Sequence, residues 1–378
     1  MDKFIANNGN PDSPVWVLLN RPLPGDEDKG YLFSAPMGYV FDKMMREAGL
    51  PDYYVTCYLP IVGKSTGGDW HCYLKHHKPA IIIPLGVAGS GVCHELEPKY
   101  RGPKYNPERD SEISKYCGSL LKLKQTNVSG PNDWEHYVVP TFEPIDIVKQ
   151  WKLRDVVISC DLAKAASELE YWKTHAKTMQ PLPKREPKIH FECFDELLAI
   201  LDTFFNYPII SNDIETIYPR APTKTQPSQF YKILPGYPIT IGLAPRTDFG
   251  ISFDFFREST VETRELWKKL AKLLWEVPSL GQNFFNFDAN FYEMLGFRLP
   301  LEKCRDTMIQ HQQLWPELPH KLQFLARQYT REVYWKDEGA GWSIKNMDAM
   351  KIYNCKDVMC TLEIYYAQLE EMKERGLE

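Results

Sequence analysis

Alternation of apolar and polar positions divides the second half of the chain into a strand-rich and then a helix-rich stretch. Ile209 to Ile217 reads as a central strand, and Pro238-Ile-Thr-Ile-Gly-Leu-Ala244 and Gly250-Ile-Ser-Phe-Asp-Phe255 read as the next two. Leu266, Leu270, Leu273 and Leu274 then recur at helical spacing, which predicts a helix over Val261 to Trp275. Ser279 to Phe284 returns to a strand pattern, and a last helix spans Met347 to Arg375, carrying Tyr353, Asp357, Leu362, Tyr365 and Leu369. The order β-β-β-α-β predicts a mixed sheet with helices on its faces.

The first half has a different rhythm. A strand Val15-Trp-Val-Leu-Leu19 leads into a Pro/Gly loop from Arg21 to Asp28, a helix from Gly38 to Ala48 and a strand Tyr53 to Thr56. A helix around Cys72 to Lys78 and the apolar strand Ala80 to Pro84 follow, so strands and helices alternate as in a parallel α/β domain. Between the halves, Lys177 to Lys188 holds Pro181, Pro183 and Pro187 among four basic residues and reads as an extended, semi-rigid linker. The expected organisation is therefore one domain over residues 1–176, a linker over 177–188 and a second domain over 189–378.

Composition narrows the function classes. A net charge of −5 excludes a passive DNA coat but not a nuclease, whose carboxylates add acidity while local basic stretches meet phosphates. Lys64 with Lys75 to Lys78 form one such stretch, and Lys184, Arg185 and Lys188 another. His320, Lys321, Arg327 and Lys336 supply further cations; each of these groups reads either as a phosphate contact or as a solvated face. No repeat, heptad run or Walker-type loop is present, which excludes an ATP-driven motor. Nine cysteines include no Cys-x-x-Cys pair, so no iron–sulfur cluster and no disulfide is expected. Without a signal peptide or an apolar run of membrane-spanning length, the expected location is the cytoplasm, away from any membrane.

The candidate chemistry lies in three segments. Asp213-Ile-Glu215 places two carboxylates at i and i+2 of a strand, hence on one side, where they can seat a hard divalent cation. Asp288 closes the run Gly281-Gln-Asn-Phe-Phe-Asn-Phe-Asp288, and Tyr353 and Asp357, four apart, share one helical face. Hydrolysis of a phosphodiester needs a nucleophile at neutral pH and a counter-charge for the transition state. Two divalent ions about 3.5–4 Å apart supply both, and carboxylate oxygens suit Mg²⁺ or Mn²⁺.

The set Asp-x-Glu, then Asn-x-x-x-Phe-Asp, then Tyr-x-x-x-Asp resembles the tyrosine-bearing exonuclease domain of the DEDD superfamily, over roughly residues 186 to 378. That superfamily includes proofreading domains of DNA polymerases and ribonuclease D. The resemblance implies a ribonuclease-H-like fold and a metal-dependent 3′→5′ exonuclease. It implies that Asp213, Glu215 and Asp357 hold the ion that activates water, with Asp213 bridging to a second. Asp288 would act through water, and Tyr353 would orient the attacking water, since a tyrosine pKa of about 10 makes it a poor base. Thr216, Asn283 and His320 are the expected substrate contacts, though Asn283 reads equally well as a turn cap. Asp306-Thr307 resembles the pair that opens the next helix in this superfamily, and an N-cap is the reading preferred for it.

A second, weaker resemblance covers roughly residues 10 to 172. Pro24-Gly25-x-Glu27-Asp28-x-Gly30-x-x-Phe33, Tyr54-Val-Thr-Cys57, Pro79-x-Ile-Ile-Ile-Pro-Leu-Gly86 and Pro140-Thr-Phe-Glu-Pro144 resemble the uracil-DNA glycosylase superfamily. The positions that would do its chemistry depart from the pattern. Pro22 stands where the loop expects a polar residue, Cys57 where an Asn would read uracil, and Glu143 where a catalytic His is expected. A carboxylate where negative charge develops opposes base excision, so this domain is expected to be inactive as a glycosylase. Phe33 stands either as a base-stacking residue or as a core aromatic.

The pairing resembles the front half of bacteriophage replicative polymerases of the bacterial polymerase I type. It implies single-stranded or frayed DNA 3′ ends as substrate, a DNA polymerase domain or subunit as partner, and the cytoplasm of a bacterial host as location. Either the polymerase is encoded separately or it follows in a longer chain. The rival readings are a non-catalytic replication adaptor that binds DNA or a polymerase, and a uracil-recognising module.

Overall fold

Five consecutive buried residues, Val15–Leu19, form β1, whose apolar run suits a strand covered on both faces. In this computed structural model residues 6–58, 74, 76–96, 113–125, 134–149, 151–217, 237–336, 338 and 347–377 are described. The chain divides into two units: Met1–Leu182 with Arg331–Tyr334, and Pro183–Thr330 with Trp335–Glu378.

In the first unit, β1 is joined by β2 (Tyr54–Cys57), β3 (Ile81–Pro84), β4 (Leu121–Gln125) and β5 (Trp134–Val138) in the order β2-β1-β3-β5-β4. The pairs β1 with β2, β1 with β3 and β3 with β5 are parallel, but β4 runs antiparallel to β5. The expectation of a parallel sheet is corrected at this edge. The eight residues between β4 and β5 are fewer than the dozen or so that a parallel crossover needs, which leaves the antiparallel pairing. Helices Pro36–Glu47, Gly86–Leu96 and Trp151–Thr174 complete the α/β pattern. Phe33 is a core residue, 4% exposed, tilted against Phe41 and edge-on to Tyr53 at ring distances of 5.4 and 6.5 Å. The helix expected around Cys72 to Lys78 falls largely outside the described residues, as do Lys64 and Lys75.

The second unit holds β6 (Glu186–Lys188), β7 (Ile210–Ile217), β8 (Tyr237–Ala244), β9 (Phe249–Asp254), β10 (Ser279–Gly281) and β11 (Arg305–Asp306). Their order is β11-β10-β7-β8-β9-β6. Strand β8 is antiparallel to both neighbours, while β10 is parallel to β7 and β11. A three-strand meander extended by parallel strands on the side of its first strand is the mixed sheet of the ribonuclease-H-like fold.

Helix Val261–Glu276, started by a Thr260/Thr263 capping box, buries Leu266, Leu270, Leu273 and Leu274 against Ile210, Ile214 and Ile241. Helix Met347–Glu374 buries Cys355, Val358 and Met359 with Ala244, and Cys360 and Ile364 with Leu322, Leu325 and Trp335. Both cysteines are therefore small core residues, and burial pushes the Cys355 thiol up to about 12. The strand expected to run to Phe284 ends at Gly281. Asn283 takes a left-handed φ of 61° and starts a 3-10 turn over Phe284–Asn286. Among the described residues no helix is long and apolar enough to cross a membrane.

Candidate metal centre

Strand β7 lies at the middle of its sheet, and its alternation sends Ile214 into the core while Asp213 and Glu215 face the other side. The pairing register with β8 shifts just after Glu215, between Glu215 and Thr216. Helix Met347–Glu374 packs on this face and presents Tyr353, Asn354 and Asp357. Carboxylate oxygens of Asp213, Glu215 and Asp357 lie within 4.8 Å of one another, one from each residue.

Asp288 begins helix Asp288–Met294 and is buried. Its Oδ1 accepts a 2.8 Å hydrogen bond from the backbone N–H of Ile214, the residue between Asp213 and Glu215. This ties the second acidic segment to the first through the backbone. Asn354 fixes Asp213 from the other side: its Nδ2 donates to Asp213 Oδ2 at 2.6 Å, and its Oδ1 accepts from Ser252 Oγ at 2.9 Å. Gly242, opposite Asp213 on β8, leaves the space that Asn354 fills. A Cβ there would come within 2.3 Å of Asn354 Oδ1.

Crowding of like charges at a poorly solvated site raises carboxyl pKa values. Burial first, and then Asp357, push Asp213 up to about 7. Burial, then Asp213 and Asp357, push Glu215 up to about 9. Asp288 is pushed well above the carboxylate range by burial and then by Asp213. Burial and the charges of Asp357, Glu215 and Asp213 raise Tyr353 as well, so its phenol keeps its proton and is a donor rather than a base. Lys336 counters the crowding: its Nζ donates to Asp357 Oδ2, and to the Tyr353 hydroxyl at 2.8 Å. Trp335 Nε1 donates to the other oxygen, Asp357 Oδ1, at 2.6 Å.

The structure thus gathers Asp213, Glu215 and Asp357 at one place, links Tyr353 to Asp357 through Lys336, and ties Asp288 to the backbone between the first two acids. The residues expected as substrate contacts lie as follows. Thr216 follows the register shift on β7. Asn283 caps the 3-10 turn, donates its N–H to Asp306 Oδ1 at 3.0 Å and accepts from Asn286 Nδ2 at 3.2 Å. Asp306 also accepts from Met308 N, so it is the N-cap that was expected. His320 Nδ1 lies 2.8 Å from His311 Nδ1, and its carbonyl accepts from Gln282.

Several basic residues offered as phosphate contacts are used internally. Arg185 pairs with Glu363 and bonds the Thr247 carbonyl, Lys188 pairs with Glu196, and His77 pairs with Asp12. Lys336 belongs to the acidic cluster and not to a solvated face. Asn354, Trp335 and the role of Lys336 were not legible in the sequence. The one available signal was that Asn354 sits three residues before Asp357, hence on the same side of the helix.

In the first unit, Pro22 lies in the loop after β1, Cys57 ends β2, and the Glu143 side chain lies against Gly86. Burial, then the charge of Asp26, push the Cys57 thiol up to about 12. A neutral, buried thiol is no nucleophile.

No family model matches the chain, and no curated protein matches it. Solved structures similar to it include the catalytic core of RRP6 from Trypanosoma brucei, with 14% identity over 51% of this chain and 49% of that one, TM-score 0.39. The EXO domain of Nibbler from Aedes aegypti is 15% identical over 53% of this chain and 94% of that one, TM-score 0.38. Escherichia coli RNase D, an exoribonuclease, is 15% identical over 51% of this chain and 46% of that one, TM-score 0.37. The chain spans about half the length of the RRP6 core and of RNase D.

Proposed function

We propose that the second unit is a divalent-metal-dependent 3′→5′ exonuclease that releases nucleoside 5′-monophosphates. The observation that carries this reading is the convergence of Asp213, Glu215 and Asp357 from one strand and one helix, with Asp288 bonded between the first two. The donor set fits Mg²⁺ or Mn²⁺. All ligand atoms are carboxylate oxygens, the donors these ions take, and burial followed by repulsion from the neighbouring carboxylates raises the pKa values of Asp213 and Glu215. When bound, such ions supply Lewis acidity and lower the pKa of water.

The chain's own residues do the rest. Asp213, Glu215 and Asp357 hold the ions, and Asn354 keeps Asp213 in its rotamer through the 2.6 Å bond. Tyr353, protonated, donates a hydrogen bond that orients the attacking water. Asp288 holds the backbone of β7 through Ile214 and so keeps Asp213 and Glu215 in register. The resemblance of the paired halves to the front of phage replicative polymerases supports a DNA end as substrate and a polymerase as partner, in a phage replication system; the acidic motifs themselves suit DNA and RNA alike. The first unit is then a non-catalytic module, supported by the carboxylate of Glu143 and the protonated Cys57.

The test is hydrolysis of 5′-labelled single-stranded DNA and RNA oligonucleotides with Mn²⁺, Mg²⁺ or chelator. Shortening from the 3′ end that requires metal and vanishes in Asp213→Asn supports the proposal. Cleavage that survives either change sinks it, as does no cleavage of either polymer. A ladder on RNA alone moves the substrate from DNA to RNA.

A further inference from the structure

Both carboxylate oxygens of Asp357 are engaged by consecutive residues of one loop. Trp335 donates to Oδ1 at 2.6 Å, and the Lys336 ammonium bonds Oδ2. The same ammonium lies 4.8 Å from the centre of the Tyr353 ring and bonds the Tyr353 hydroxyl at 2.8 Å. Lys336 therefore touches two of the residues that the last helix brings to the proposed site. The indole of Trp335 is buried with Leu325 and Cys360, so its N–H is a fixed anchor, whereas the lysine side chain is 20% exposed and has a way out. A carboxylate that is held by a neutral donor on one oxygen and by a removable cation on the other is set up for exchange of that cation.

Resting on the metal-site reading above, we propose that Trp335 and Lys336 form a positioning pair for Asp357 in which Lys336 is a built-in counter-ion. Without metal, the ammonium neutralises the cluster. For a divalent ion to ligate Asp357, Lys336 gives up Oδ2 and stays on the Tyr353 hydroxyl, while Trp335 keeps the carboxylate aimed. A bond from Lys336 occupies a lone pair of the phenol oxygen and leaves its proton to point towards water. No atom is transferred; one cation replaces another.

Competition of this kind has a signature that a merely structural lysine lacks. Removing the ammonium should weaken the metal-free protein and tighten metal binding together. The experiment measures Mn²⁺ affinity by calorimetry, and Tm in chelator, for the wild-type chain, Lys336→Met and Lys336→Arg. Lys336→Met should bind Mn²⁺ about tenfold more tightly, a difference of about 1.4 kcal/mol, and have a lower Tm in chelator. Lys336→Arg, which keeps the charge, should restore that Tm.

Unchanged or weaker Mn²⁺ binding in Lys336→Met overturns the proposal, as does an unchanged Tm in chelator. If the wild-type chain and Lys336→Met both fail to bind Mn²⁺, the metal-site reading falls and this one with it. Binding by the wild type with no change in Lys336→Met sinks the counter-ion role alone. Binding only in Lys336→Met supports it in its strongest form. Lys336→Gln, which keeps a donor without the charge, is measured by the same criteria if Lys336→Met does not fold.

Discussion

Asp26 in the first unit and Asp213 in the second are both acids at least partly removed from solvent, yet their surroundings are opposite. Asp26 is fully buried and accepts from the backbone N–H groups of Leu23, Phe33 and Ala35 at 2.9, 3.2 and 2.9 Å, and from Ser34 Oγ at 3.3 Å. These donors belong to the protein, so the carboxylate is solvated by its own loop. Ala35, whose N–H it holds, is the residue just before helix Pro36–Glu47, so Asp26 fixes the entry to that helix. Asp213 accepts from the side chain of Asn354 and lies among the carboxylates of Glu215 and Asp357. A saturated acid organises structure, whereas an under-neutralised group of acids stores unfavourable charge that a cation relieves.

The contrast can be broken most sharply at Asp213. Asp213→Asn keeps an oxygen for Asn354 but removes a charge. It should cost more than about a hundredfold in metal-dependent hydrolysis, while the metal-free Tm holds or rises. A fall in that Tm as large as the one at Asp26 would erase the distinction between the two acids. At Asp26 the prediction is reversed. Asp26→Ala leaves three buried N–H groups without an acceptor and should cost the first unit about 3 kcal/mol or more, read by denaturant unfolding, with Mn²⁺ affinity unaltered.

Gly242→Ala tests how the site is held. The new Cβ displaces Asn354 and should cost about 1–3 kcal/mol, the range for overpacking a core. Because Asp213 loses its anchor, hydrolysis should fall as well; stability lost with activity intact would show that Asn354 does not position Asp213.

The smallest effect concerns protons, and here the units should behave alike. Burial holds His136 in the first unit and His311 in the second down to about 4. An unfolded histidine titrates near 6.5. Both folded values are depressed, so the unfolded chain binds more protons between these limits. The stability these neutral imidazoles contribute is complete above about pH 6.5 and drains away as pH falls towards 4. Replacing either by Gln should flatten that slope in Tm against pH, and a slope unmoved in both variants would show that other groups set the acid limit.

Much of this molecule was legible in its pattern. Period-two alternation located β7, β8 and β9, and leucines at helical spacing located Val261–Glu276 to within a residue. The acidic residues stood out because chemistry needs them in a set. What escaped was the length of β10, where the left-handed turn at Asn283 overrides an apolar run, and the antiparallel edge made by β4. Lys336 escaped for a different reason: one lysine in a loop looks the same in sequence whether it faces solvent or a carboxylate.

By itself, the sequence determined which side chains are acidic, which face of β7 they share and which helix returns to them, because strand alternation and helical periodicity are rules of near neighbours. Only the tertiary structure decided what keeps those acids in place. The donor to Asp213 comes from 141 residues away, and the ammonium on Asp357 comes from a separate loop. Charge balance at a buried site is a sum over everything packed around it, and no local pattern carries that sum.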